Sequence, residues 1–331
     1  MERKQWLDNI RVLACLMVLV VHVTAITKYS YGKIDDVYWY ITVFLDSASR
    51  MCVPLFLMIS GYLFLGGKKI KPKNLLKIFT ALTFYSFFSV IFYSVYFDYN
   101  FIDTLLSIYE KPAMYHLWYM FYIFSFYILF MIIDVRKVSP LFGLMIVVIV
   151  MTILNDNLAD INNVLFGHRF RSYFVINAYY LQLFMYCFAG YFIGTLDDGG
   201  KYIKHAWVVC IISIAAVTTL TLIKSFEIHK LHVLYQQYNS VPVFFSALSA
   251  FYIVKNSGEF YSAKKYIKFI SERSLAIYGV HAIILEVMKY NKYYIFSNPL
   301  ANIISSFFIL SILSVAAASL IKRYDKKGYV S

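Results

Sequence analysis

The amino-acid sequence predicts an all-α integral membrane protein, a bundle of about ten transmembrane helices with both termini in the cytoplasm. Three observations predict it. Of 331 residues, 61% are hydrophobic and only 15% are charged, far from the balance of a soluble domain. The apolar residues gather in ten stretches, each near the roughly 20 residues needed to cross a hydrocarbon core of about 30 Å. The positive charges are also lopsided. With the N-terminus inside, 21 of the 31 Lys and Arg fall in cytoplasmic connections and nine outside, with Arg50 within a span. That is the asymmetry left when basic loops stay in the cytoplasm.

The predicted spans lie at 10–27, 39–65, 75–97, 115–133, 138–154, 174–195, 206–223, 240–255, 270–288 and 299–321. The first follows Arg3 and Lys4 and has the outline of a signal peptide. It reads as retained, because His22 interrupts the apolar run and no convincing small-residue cleavage site follows. Lys28 and Lys33 fall in the first outer connection. The second span is unusually long, and in it Pro54 reads as a kink and Gly61 as a close-packing position. A basic connection at Lys71, Lys73 and Lys77 leads into the third span, and HLWYM opens the fourth at an expected aromatic belt. Arg136 with Lys137, then Lys201 with Lys204, then Lys255 to Arg273 mark the later inner connections, and Lys322, Arg323, Lys326 and Lys327 close the chain. Residues 1–331 read as a single membrane domain. The net charge of +13 follows from this asymmetry and from attraction to anionic membrane lipids; no nucleic-acid motif accompanies it. Cys15, Cys52, Cys187 and Cys210 lie inside spans without ligand spacing and read as packing residues.

Function must come from polar residues that a bilayer excludes, since a charge at a helix centre costs about 2.5–3.5 kcal/mol on insertion scales. Arg11 and His22 are eleven positions apart, about three turns with roughly 20° left over, so they share a helix face about 16 Å long. Asp8 is placed to orient Arg11 or to sit in the helix's first turn, and Arg11 alone also fits a positive-inside anchor. Arg50 is expected near midplane depth, where an arginine needs an anion or several carbonyls. Ser60 has no nucleophile elbow around it and reads as helix glue. His116 opens the fourth span and His281 lies deep in the ninth, each open to a catalytic or a hydrogen-bonding role, with Glu286 further out. The histidines lack HxxxH or HExxH spacing, so no metal is expected. His bases and Arg cations with few carboxylates suit proton abstraction from a hydroxyl and stabilisation of an anionic oxygen.

WLDNIRVLACLMVLVVH, SRMCVPLFLMISGYLF, HLWYM and SLAIYGVH together resemble, in order and over essentially the whole chain, the membrane-bound acyltransferase family 3. Within it the likeness is greatest to the enterobacterial common antigen O-acetyltransferase type, carried by DSASR, KP-x-x-YHLW and RYDKKGYVS. The resemblance implies transfer of an acyl group, usually acetyl, from cytoplasmic acetyl-CoA or another acyl-CoA to a hydroxyl of a cell-surface or lipid-linked polysaccharide at the inner membrane of a bacterium. It implies His22 as base or acyl carrier, Arg11 with Asp8 and Arg50 at the coenzyme, Arg50 also at the thioester oxygen, and His116 and His281 at the acceptor. A second arginine that some relatives carry near Arg50 is absent here, where Asp46, Ser47, Ala48 and Ser49 stand. A transporter or flippase for a glycan or anionic substrate is the alternative reading of ten helices around a basic interior.

Overall fold

The computed structural model describes residues 4–66, 70–169, 178–258, 263–292 and 296–331. Arg3, Lys68, Lys69 and Arg171 of the charge pattern, and the opening residues of the 174–195 span, lie outside them. The described residues contain helices and no strand: α1 (Gln5–Lys28), α2 (Asp36–Ser49), α3 (Cys52–Phe64), α4 (Pro72–Phe97), α5 (Phe101–Leu106), α6 (Trp118–Leu129), α7 (Pro140–Met151), α8 (Asn157–Phe166), α9 (Tyr179–Thr195), α10 (Ile203–Glu227), α11 (Val241–Asn256), α12 (Lys264–Ser271), α13 (Ser274–Tyr290) and α14 (Pro299–Tyr324). Helix occupies each of the ten predicted stretches. By length and composition five segments can cross a bilayer: Gln5–Lys28, Asp36–Phe64, Pro72–Phe97, Ile203–Glu227 and Pro299–Tyr324. The short helices α5, α8 and α12 were not anticipated, being less apolar than the spans.

Local chemistry sets several helix starts. Asp35 accepts a hydrogen bond from the Val37 amide at 2.8 Å to cap α2, and Asn298 accepts from Leu300 and Ala301 at 2.9 and 3.2 Å to cap α14. Pro72 and Pro299 occupy first-turn positions, where the missing N–H is no loss. The long second span breaks between α2 and α3 at Arg50 and Met51. Pro54, four residues past Arg50, has no N–H to offer the Arg50 carbonyl and its ring clashes with that carbonyl. The helical ladder thus loosens at Arg50 and Met51, one turn before Pro54, while the backbone of both stays in the right-handed helical region.

The helices group into two compact units, Met1–Lys68 with Asp134–Lys264, and Lys69–Ile133 with Lys265–Ser331. In the first, α3 lies directly on α9. A Cβ on Gly61 would sit 1.9 Å from the Cys187 carbonyl oxygen, and one on Gly190 2.0 Å from that of Met58, so only glycine allows this backbone-to-backbone approach. All four cysteines are buried and unbridged. In the second, α13 packs against α14 and α4. Gly279 of α13 carries the ring of Tyr85 so closely that a Cβ would meet it at 2.3 Å.

The second unit also contains a folded tail. Asp325 accepts from the amides of Tyr329, Val330 and Ser331 at 3.0, 2.8 and 2.9 Å and from the Ser331 hydroxyl at 2.9 Å. Tyr85 then donates to the Val330 carbonyl at 2.6 Å and Lys77 to that of Ser331 at 2.9 Å. Burial pushes the Asp325 carboxyl up, but the Val330 and Tyr329 amides and the Ser331 groups outweigh it and hold the carboxyl below its ordinary range.

Candidate active site

In the first unit α1 is an uninterrupted helix, so the shared face of Arg11 and His22 stands. Both side chains are half-buried. Asp8 takes the orienting role read from its spacing: its Oδ1 accepts from Arg11 Nη1 at 3.0 Å, with the carboxylate buried and the guanidinium 28% exposed. An oriented but partly open guanidinium keeps donors for an incoming anion.

Arg50 has its anion within the chain. Its Nε and Nη2 donate to Asp46 Oδ2 and Oδ1, both at 2.8 Å, a fork geometry that a carboxylate one turn earlier on α2 can reach. Asp46 has no exposed surface and is shared with a second cation, Lys28 Nζ at 3.0 Å. Lys28 therefore corrects the reading of a charge in the outer connection. α1 continues to Lys28, whose side chain is 2% exposed and bonds Gln236 at 3.4 Å. Gln236 donates in turn to Ser47 at 3.1 Å, and Trp39 Nε1 donates to the Lys28 carbonyl at 2.9 Å. Two cations on one carboxylate leave this buried network with a formal charge of +1. Ser60, read from the sequence as glue between helices, instead returns its hydroxyl to the Phe56 carbonyl of its own helix at 3.1 Å.

In the second unit His116 and His281, 165 residues apart in sequence, become neighbours. Their ring centroids are 5.0 Å apart with the planes at 77°, and both are buried, His116 at 2% exposure and His281 at 0%. His116 is the middle residue of the short 3₁₀ turn Tyr115–Leu117 ahead of α6, and His281 stands in the middle of α13. Their surroundings assign the tautomers. His281 Nδ1 lies 2.6 Å from the Tyr278 carbonyl and His116 Nε2 lies 3.3 Å from that of Gly279. A carbonyl only accepts, so those nitrogens carry the protons, leaving His281 Nε2 and His116 Nδ1 as the basic nitrogens. His116 Nδ1 is buried with no hydrogen-bond partner among the described residues. Tyr278 locks the pair, its hydroxyl donating to the His116 carbonyl while its own carbonyl holds His281. Tyr85, pressed on Gly279, backs the carbonyl that His116 uses.

The structure thus brings together Asp8 with Arg11, and His116 with His281, and it adds three residues that sequence reasoning missed. Asp46 and Lys28 were visible in principle, since an Asp four residues before a mid-span Arg is an ion-pair spacing. Tyr278 carried no such signal in a chain with 31 tyrosines. Among the described residues no group of three or more His, Cys, Asp or Glu gathers as a metal site.

No curated protein and no solved structure matches the chain significantly. A family profile described as an acyltransferase domain matches residues 4–323. That match runs through every residue discussed above from Asp8 to His281, and the helices are those of a multi-pass membrane protein: the chain belongs to the acyltransferase family 3.

Proposed function

We propose that this protein is a membrane O-acyltransferase of the bacterial cytoplasmic membrane. It takes an acyl group, acetyl in the first instance, from acyl-CoA on the cytoplasmic side and places it on a hydroxyl of a cell-surface or lipid-linked polysaccharide. The observation that carries the reading is the His116–His281 pair. Two buried imidazoles, each with one N–H tied to a backbone carbonyl and the other nitrogen basic, suit removal of a proton from an alcohol, in a chain of an acyltransferase family. The DSASR, KP-x-x-YHLW and RYDKKGYVS likeness makes enterobacterial common antigen the first acceptor to test.

In this reading the first unit serves the donor. Arg11, aimed by Asp8, binds the coenzyme's phosphates, and the shared face of α1 runs about 16 Å from there to His22, comparable to the reach of a pantetheine arm. Arg50 has about five N–H donors, of which Asp46 engages two, so donors remain for the thioester oxygen. The second unit serves the acceptor, with His116 and His281 holding the sugar hydroxyl and relaying its proton. In acyl transfer the acceptor hydroxyl gives its proton to a base as its oxygen bonds to the thioester carbonyl carbon. Collapse of the tetrahedral oxyanion then breaks the C–S bond, and the departing thiolate takes up a proton. His22 acts either as the base or as a transient acyl carrier. As carrier, its nitrogen first displaces the coenzyme thiolate and then yields the acyl group to the hydroxyl.

The experiment is mass spectrometry of surface glycans from deletion and complemented strains, paired with transfer from labelled acetyl-CoA by the purified protein. An acyl ester that disappears on deletion, returns with the wild-type gene and fails to return with His22→Ala is the expected result. Unaltered glycan acylation in the deletion strain, with no transfer by the purified protein, overturns it in favour of a transporter. A reporter fused after Ser331 is expected to report a cytoplasmic location.

A further inference from the structure

The geometry points to a carbohydrate subsite in the second unit, built by Glu286, Lys289 and Tyr115 against a ledge of Tyr99 and Tyr290, that takes an uncharged pyranose ring. The inference rests on the acyl-transfer reading and names the class of acceptor.

Glu286 lies on α13 five residues beyond His281, about 7.5 Å along the axis and about 140° around it, so its link to the histidine pair runs through Tyr115 rather than along the helix face. Its Oε1 accepts from Lys289 Nζ at 2.6 Å, and Tyr115 hydrogen-bonds the same carboxylate. Tyr115 is the immediate neighbour of His116, so the residue holding the carboxylate and the residue holding the histidine pair move as one turn of chain. A carboxylate offers about four lone-pair directions; Lys289 and Tyr115 use two, and the others suit adjacent sugar hydroxyls. Lys289 also stands 5.8 Å over the Tyr115 ring.

The ledge beside these groups is constructed. α4 ends at Asp98, whose φ of +53° is left-handed, a conformation costly for a residue with a side chain. That turn folds the chain back so that Tyr99 stacks on Tyr93, with ring centroids 5.6 Å apart and planes within 13°. Asn100 then accepts from the Ile102 and Asp103 amides at 2.9 and 3.1 Å and pins the far side of the turn. Tyr290, four residues after Glu286, packs edge-on against Tyr96 and Phe97 at 5.6 and 5.7 Å. Tyr99 and Tyr290 are each 56% exposed.

An interfacial aromatic belt accounts for rings but not for a carboxylate and an ammonium held among them, 19% and 28% exposed. Electron-rich ring faces meet the C–H faces of a pyranose, the carboxylate accepts from its hydroxyls, and the tyrosine hydroxyl and the ammonium donate. Glu286 and Lys289 cancel in charge, which favours a neutral sugar over a uronate or phosphosugar.

The test is saturation-transfer NMR on the full-length protein in lipid nanodiscs with two probes, the methyl α-glycoside of N-acetylglucosamine and methyl glucuronide. Saturation of the neutral glycoside's ring protons is expected, with affinity about tenfold or more weaker in Glu286→Gln, the loss typical of a charge-assisted hydrogen bond. The variant Tyr99→Ala/Tyr290→Ala, compared below its own thermal midpoint, should weaken it as much. No transfer to the neutral probe in wild type, preference for the glucuronide, or affinity unchanged in both variants overturns the subsite. Because binding is read without the acyl donor, a protein that binds the neutral glycoside as described but acylates nothing disproves the transfer reading and leaves the subsite standing. One that acylates a glycan yet fails the binding test does the reverse.

Discussion

The two units resolve the same difficulty, polar groups in apolar surroundings, in opposite ways. Around Asp46 the first unit keeps full charges and pairs them: Arg50 by a two-point fork, Lys28 by a single contact, with Gln236 and Ser47 satisfying what remains. Around His116 and His281 the second unit places two titratable rings and ties each by one nitrogen to a backbone carbonyl, keeping the other nitrogen basic. The first arrangement is expensive to disturb at Asp46, whose removal strands two cations. The second is tolerant of removal but holds the proton-accepting capacity. The contrast separates a network of paired charges from a pair of imidazoles tied to the backbone, although both read in the sequence simply as polar residues where lipid contact would exclude them.

The sharpest way to break this comparison is Asp46→Asn. It leaves Lys28 and Arg50 buried without their counter-charge, and loss of about 3–5 kcal/mol of stability is expected, the cost typical of breaking a buried ion pair from one side. Reversible unfolding in mixed micelles measures it, and an unaltered unfolding midpoint would remove Asp46 from any structural role. His281→Ala is expected to do the converse. Transfer falls about 100-fold or more, the usual contribution of a positioned acid–base group, while the midpoint moves much less than in Asp46→Asn. Comparable stability losses in the two variants would erase the distinction between the units.

Gly279→Ala probes the support of the pair. Its Cβ would press on Tyr85 at 2.3 Å, and overpacking of this kind costs about 1–3 kcal/mol. Transfer should fall with it, because the carbonyl that holds His116 must shift. Trimming the obstruction with Tyr85→Ala in the same chain should restore part of the lost activity, so additive losses in the double variant would count against the coupling. Lys28→Met is expected to be milder, within about 1 kcal/mol, since it leaves a neutral Asp46–Arg50 pair and an apolar stem of similar size; a loss as large as that of Asp46→Asn would mean that Lys28 carries the network.

The smallest expected effect is on the tail. Asp325 is held below its ordinary carboxylate range, so its contribution to docking is complete above that range, about pH 3.9 for an unperturbed Asp, and is lost as pH falls through the lowered value. Hydrogen exchange at the Tyr329, Val330 and Ser331 amides should stay slow at neutral pH and quicken only in acid. Exchange independent of pH beyond its intrinsic acid and base catalysis would show that Asp325 is not the clasp. RYDKKGYVS was legible as a polar tail after the last span; only the fold shows that its aspartate is the acceptor gathering three amides.

Hydrophobic composition and charge asymmetry were enough to read an all-helical membrane protein, because a bilayer demands long apolar segments and intrahelical hydrogen bonding. The spacing of Arg11 and His22 was enough to place them on one face, because a straight helix converts spacing directly into angle. Asp8 with Arg11 and Gly61 as a close-packing position followed from contacts within a few residues or from side-chain size alone. What the tertiary structure decided lies beyond that local reach. The exact place where the second span loosens, at Arg50 and Met51 rather than at Pro54 itself, depends on how the ladder around the proline is packed. Lys28 becomes a core cation because a helix from elsewhere brings Asp46 to its tip, and the histidine pair exists because α13 carries His281 and the Gly279 carbonyl to a turn 163 residues away. Periodicity records which face of a helix avoids water; it holds no record of which helix will lie against that face, and in this protein the chemistry of the site is made of such meetings.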